Sequence, residues 1–212
     1  MDNLKGEVYP LFSKPVFIAD LEITDNEKRT LLNHYDNQEY YLARDKFEHE
    51  DSCKISKNKN ILGELDWLNK KIEDKFQQFC DEVMHYENKI GIINSWFTKT
   101  NKNEESTYHH HSNFMWTGSF YFGNDENYQQ KITLKNFNPS LLHVPSNKQN
   151  IYNSVAWTFT IKNNMLIFFP SELNHMISKN NNDTIRKSLA FNMLPIDEIN
   201  DGVLKVKLYE TQ

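Results

Sequence analysis

The sequence predicts an α+β chain that is mostly β, a barrel or double-sheet jelly roll with N-terminal helices packed on one sheet. Three observations lead there. Beyond Asn88, six short runs rich in β-branched and aromatic residues follow one another with turns between them and almost no helical period. Before that point, two stretches carry apolar residues at spacings of three and four. The longer of them needs an apolar surface to cover, and a sheet built from the later strands supplies one. At 212 residues the chain suits one domain, 1–212, with 1–89 as N-terminal strands and supporting helices and 90–197 as the jelly-roll core.

Taken in order, Val8–Phe12 and Pro15–Ala19 read as short strands punctuated by Pro10 and Pro15, the start of a sheet edge. Thr24 followed three residues later by Glu27 reads as a helix cap. Leu31, Leu32 and Tyr35 then carry a helix to about Asn37. Gln38 to Lys59 is polar without a sustained period and reads as mostly loop. From Gly63 to Tyr86, Leu65, Leu68, Ile72, Phe76, Phe79, Cys80, Val83 and Met84 form a helical stripe uninterrupted by proline. The strand-like runs are Ile90–Thr98, Trp116–Phe122, Lys131–Leu134, Val155–Ile161, Met165–Phe169 and Ile185–Leu194. The long connection from Asn136 to Asn153 reads as a loop bordering a site.

Composition narrows the function. A net charge of −5 with pI near 5.9 supplies no basic field for phosphate backbones, so no nucleic-acid partner is expected. Cys53 and Cys80 form no CxxC pair, which fits a reducing cytosol. The N-terminus lacks an apolar signal core, and the longest apolar run, Met165–Phe169, is too short to span a bilayer. A soluble, cytoplasmic protein without a membrane partner is the expectation.

The chemistry concentrates at Tyr108-His109-His110-His111. At this histidine frequency a run of three arises by chance in roughly one such chain in a hundred. In an extended segment i and i+2 share a face, so His109 and His111 can converge on one ion while His110 points away. Imidazoles suit iron, zinc or copper, and a polar loop preceding a strand is the plain alternative. A distant third donor would decide, and His175 offers one. If His175–Ser178 and Asp183–Phe191 form an antiparallel hairpin about Asn180-Asn181, His175 opposes Arg186. Ser188, Ala190 and Asn192 then share that polar face. A metal on neutral His175 and an anion on Arg186 would relieve the repulsion between the two; a surface hairpin with incidental His and Arg is the alternative. Trp96, Trp116 and, from the long loop, His143 are weaker candidates for a substrate pocket, while Asn180-Asn181-Asn182 looks like a solvated turn.

The order His109-x-His111, Thr117-Gly118-x-Phe120-Tyr121, Phe169-Pro170-Ser171 with His175, and Arg186-x-Ser188-x-Ala190-Phe191-Asn192 resembles the 2-oxoglutarate and iron(II) dependent oxygenase superfamily. It is similar more narrowly to a branch common in phages and marine bacteria, in which case the host cytoplasm would be its location. The resemblance spans about Ile90 to Leu194. It implies a cupin-like double-stranded β-helix, with iron(II) on His109, His111 and His175. It implies 2-oxoglutarate held by Arg186 and Ser188, with hydrogen bonds from Tyr121 and Asn113 if the strand is regular, and dioxygen as oxidant. Hydroxylation of a small molecule or of a protein side chain such as proline is the implied outcome; nothing in the residues names the substrate or the oligomeric state.

The chain departs from the superfamily in one respect. Most members place a carboxylate two residues after the first histidine, whereas His111 stands there and no acid lies between Ser106 and Asn124. Asn138-Pro139-Ser140 also stands where the branch tends to have Asp-Pro-Arg. Two other classes stay open: a cupin-like metal protein without 2-oxoglutarate turnover, which would not need Arg186, and a non-catalytic jelly-roll binding or structural protein, which would need neither metal nor Arg186.

Overall fold

The computed structural model describes residues 7–8, 10–44, 52–123, 130–136, 145–200, 202–203 and 205–207. In chain order these form β1 (Phe17–Asp20), α1 (Asp25–Asp36), β2 (Tyr40–Leu42), β3 (Lys54–Ser56), α2 (Asp66–Phe79), β4 (Ile90–Thr100), β5 (Ser106–His109), β6 (Trp116–Tyr121), β7 (Lys131–Lys135), β8 (Ala156–Thr160), β9 (Met165–Pro170), β10 (Asn174–Ile177) and β11 (Arg186–Pro195). A final pair, β12 (Ile199–Asn200) and β13 (Lys205–Val206), makes a separate small ladder. The main strands build a seven-stranded sheet, β1-β9-β6-β11-β4-β3-β2, and a four-stranded sheet, β5-β10-β7-β8, both with antiparallel ladders.

Strand alternation sorts the larger sheet into two faces. On one face Trp116, Phe120, Phe122, Leu166, Phe168, Leu189, Phe191 and Met193 join Leu31 and Tyr35 of α1 and Leu68, Ile72, Phe76 and Phe79 of α2 in one cluster. Burying each α2 side chain there contributes about 1.5–3 kcal/mol. On the other face Tyr121, Ile167 and Phe169 meet Ile132, Leu134 and Ile177 of the smaller sheet. Gly118 permits the helix-side packing, because a Cβ there would meet the Phe191 ring at 2.3 Å. Both helices therefore lie on one sheet, and the strand residues of opposite parity are left to face the smaller sheet.

The helices form as their sequences predict. Thr24 caps α1 reciprocally: its side-chain oxygen accepts from the Glu27 N–H at 3.2 Å, and Glu27 accepts from the Thr24 N–H at 2.7 Å. Glu27 also pairs with Lys71 of α2 at 2.8 Å, joining the two helices. The α2 stripe continues past Phe79 as a π-helical turn, Cys80–Met84, closed by His85 in the left-handed region. No described helix is long and apolar enough to cross a membrane.

Three expectations need correction. Residues 7–8 and 10–12 form no strand; Phe12 has φ 58° and is 95% exposed, so β1 begins the edge alone. The stretch from Gln38 to Lys59 holds β2 and β3, which extend the larger sheet beyond β4. These strands have only three residues each, too few to show a period. Most consequentially, β10 and β11 are not a hairpin. Strand β10 pairs with β5 and β7, whereas β11 pairs with β4 and β6 in the other sheet. Their link is anchored by Asn180, which is fully buried rather than a solvated turn residue. Its amide donates to the carbonyls of Thr100 (3.0 Å) and Thr184 (2.9 Å), and its N–H to that of Glu104 (2.8 Å).

Candidate metal centre

Strand pairing sets two of the three histidines side by side, because His109 at the end of β5 is in register with His175 of β10. The strand stops at His109, and His111 lies just before the turn at Ser112-Asn113, fixed by its N–H donating to the Ser171 carbonyl at 3.0 Å. Ring centroids are 4.2 Å apart for His109 and His175, 5.2 Å for His109 and His111, and 5.1 Å for His111 and His175. One ring nitrogen from each lies within 4.8 Å of the others. His110 is exposed and bonds to the Ser112 hydroxyl at 3.3 Å.

The hydrogen bonds decide which nitrogens are available. His109 Nδ1 lies 2.7 Å from the Thr107 carbonyl and His175 Nδ1 3.0 Å from the Leu173 carbonyl. A carbonyl only accepts, so both Nδ1 atoms carry the proton. His111 Nδ1–H donates to Asn192 Oδ1 at 2.5 Å, and Thr117 donates to the same oxygen at 2.9 Å. All three Nε2 lone pairs are thereby left for an ion, held by the outer bonds that metal-ligating histidines usually make. Burial pushes His109 down to about 4, lowers His111 and places His175 well below the ordinary histidine range, so all three are neutral donors near pH 7. The donor set fits a divalent borderline metal such as iron.

The cavity at these histidines has a volume of about 220 Å³ and no aspartate or glutamate among its described lining residues. Ser188, Ala190, Thr117, Ser119 and Trp96 line it, as do Arg44, Cys53 and Ile55 from the segment read as loop. Arg186 is fully buried and does not itself line the cavity, standing on β11 two residues before Ser188, which does. Its Nη1 donates to Gln130 Oε1 at 2.7 Å and its Nη2 to Thr100 Oγ1 at 2.5 Å, while its Nε has no hydrogen-bond partner among the described residues. The Tyr121 hydroxyl is a second buried group without a hydrogen-bond partner within 3.5 Å among the described residues; burial raises it to about 12, and the nearby Arg186 charge and the Ser119 hydroxyl oppose that rise. Arg186 bears in the same way on Cys53 of the cavity wall. A buried cation and an orphaned hydroxyl suit a carboxylate.

Other candidates fall elsewhere. Asn113 is exposed, with φ 70° in the turn after His111; the turn breaks the regular strand on which its inward placement depended. Trp116 packs 5.4 Å from both Phe76 and Phe79 on the helix side, away from the cavity. His143 and Asn138-Pro139-Ser140 lie outside the described residues. Ile151 and Tyr152 of the long connection, with Val155 just beyond it, line a different cavity with residues 10–14. Thr117, Ser171 and Asn192 support His111 without having been singled out for it; only their places in the quoted motifs pointed to them.

Residues 94–192 match a family model described as "Putative 2OG-Fe(II) oxygenase". No curated protein sequence matches the chain. Among solved structures it is similar to an oxidoreductase of the 2OG-Fe(II) oxygenase family from Burkholderia pseudomallei (TM-score 0.56, 8% identity, 84% of this chain and 83% of that one). It is also similar to a Pseudomonas putida prolyl-4-hydroxylase (TM-score 0.55, 12% identity, 86% and 94%). A third is HygX from Streptomyces hygroscopicus with nickel, 2-oxoglutarate and hygromycin B bound (TM-score 0.56, 8% identity, 86% and 83%). At these identities the likeness shows a shared jelly-roll fold.

Proposed function

We propose that this chain, which through residues 94–192 belongs to the 2-oxoglutarate and Fe(II) dependent oxygenases, holds its metal on His109, His111 and His175 and its co-substrate on Arg186 and Ser188. The observation that carries the assignment is the pairing within one fold of three neutral imidazoles, one buried and two half-buried, with a buried guanidinium whose Nε lacks a partner among the described residues and with a buried phenol. When bound, iron(II), 2-oxoglutarate and dioxygen supply an oxidation that releases succinate and carbon dioxide and, in the default outcome, hydroxylates a second molecule.

The chain's own residues do the rest. The carbonyls of Thr107 and Leu173 and the amide of Asn192 aim the imidazoles. Arg186, whose Nε–H is unpartnered among the described residues, would hold a carboxylate of 2-oxoglutarate through a charge-assisted bond, and the Tyr121 hydroxyl would add a donor. The apolar side chains between the sheets, among them Ile132, Phe169 and Ile177, exclude water around the reacting groups. The reactant is a small molecule or a protein side chain. A cytoplasmic location suits Cys53 and Cys80, which are both free and buried.

The cupin-like alternative differs at Arg186, which it leaves without a task. Anaerobic titration of the protein with iron(II) and 2-oxoglutarate should give a weak visible charge-transfer band. Arg186→Ala should abolish the band while retaining the metal, and His175→Ala should lose the metal. Metal-loaded protein with no affinity for 2-oxoglutarate would support the cupin-like reading instead.

A further inference from the structure

The cavity of about 220 Å³ at the histidines is smaller than the roughly 300–1,000 Å³ of most small-molecule sites. A metal with a five-carbon dicarboxylate takes up much of it. A shallow, solvent-open depression of about 370 Å³ adjoins it and shares Ile55, Trp96 and His111 as walls. Room for the second reactant therefore lies on the outer side of His111. The Trp96 ring, 5.7 Å from the His111 ring, forms one wall of that space, and Phe114 lines it as well.

Among the described lining residues the charge around this space has one sign. No aspartate or glutamate lines either space among the described residues, whereas Lys59 borders the outer one and Arg44 the inner one. Lys59 Nζ donates to the Ser56 carbonyl at 2.7 Å and lies 4.9 Å from the Tyr41 ring centroid and 5.8 Å from that of Trp96. An ammonium has three donors, so others stay available, and no carboxylate pairs with it among the described residues. Three neutral imidazoles also leave a divalent metal with its full charge. The two carboxylates of 2-oxoglutarate balance that charge, but Arg186, Arg44 and Lys59 remain. A cationic reactant would be repelled and an anionic one drawn in.

We infer that the reactant is an anionic molecule with a flat apolar body, lying against Trp96 and Phe114 with its carboxylate or phosphate at Lys59. This deepens the oxygenase reading and rests on it. Calorimetry on the full chain loaded with zinc, with and without 2-oxoglutarate, can test it using 2-naphthoate and its uncharged analogue 2-naphthamide as probes. Naphthoate should bind at least ten-fold more tightly than the amide. Lys59→Gln should remove that difference without shifting 2-oxoglutarate affinity, and Trp96→Ala should weaken both probes. Equal affinities in the wild type, no effect of Lys59→Gln, or no binding of either probe would overturn the inference. So would naphthoate binding that 2-oxoglutarate competes away and Arg186→Ala abolishes, because the anion would then occupy the co-substrate's place. Lys59-dependent naphthoate binding in a protein with no affinity for 2-oxoglutarate would sink the oxygenase assignment and leave the anion subsite standing.

Discussion

Asn192 connects three groups. Its Oδ1 accepts from His111 Nδ1–H at 2.5 Å and from the Thr117 hydroxyl at 2.9 Å, while its Nδ2 donates to Asn94 at 2.9 Å. It thereby fixes both the tautomer and the ring plane of His111, one of the three proposed metal ligands. Asn192→Leu keeps the volume but removes the acceptor, leaving His111 free to swap tautomers and turn. Metal affinity should fall about 10–100-fold, the usual cost of losing such an outer partner, and competition against a chromophoric chelator measures it. An unchanged affinity would remove Asn192 from any part in the metal site. Its position in the sequence marked it as a motif residue, but its task was not legible there, since its partner lies 81 positions away.

Among the elements, the link between β10 and β11 shows why some of the fold was readable and some was not. The six long or strongly β-branched runs were legible because burial on a sheet imposes their composition. Both helices were legible from a cap and a stripe. Two strands separated by an asparagine-rich segment read as a hairpin, yet this fold sends them to opposite sheets. Local sequence carries no trace of that choice, which depends on Asn180 reaching the carbonyls of Thr100 and Thr184. The shared face of Ser188, Ala190 and Asn192 came out of that reading all the same, because alternation along one strand does not depend on its partner. Lys59, Ile55 and Arg44 escaped notice for a related reason: they stand in or beside three-residue strands with no period to mark them. Asn180→Ala would strip a buried link of three side-chain bonds and should cost about 1–3 kcal/mol, read as a lower urea midpoint. A change within about 0.5 kcal/mol, typical of surface positions, would mean that the link is held by other contacts.

For the whole molecule, the three histidines tie stability to pH and to metal. Folding buries them neutral, with His109 lowered from 6.5 to about 4 and His175 lower still. In the unfolded chain they titrate near 6.5. Below that pH the unfolded state binds more protons than the folded one, so acid pulls the equilibrium toward unfolding. In metal-free protein, stability should be undiminished above about pH 6.5 and fall steadily toward about pH 4, with His109 alone accounting for a loss on the order of 3 kcal/mol. The interval from about pH 6.5 to 5 is the informative one, because ordinary carboxylates stay largely ionised there. A bound divalent ion adds about 4 kcal/mol at a thousand times its dissociation constant. Because the folded imidazoles stay unprotonated through this interval, that increment should hold down to about pH 5 and shrink only as the folded histidines themselves take up protons, near pH 4 for His109, so the two curves run parallel above it. Urea midpoints taken with zinc and with chelator at a series of pH values separate the two effects. His175→Leu should flatten both curves, since it removes one buried proton acceptor and one ligand together. Midpoints that stay level from about pH 7 to 5 in both conditions would show that the histidines are not buried neutral donors, and the metal centre would fall with them.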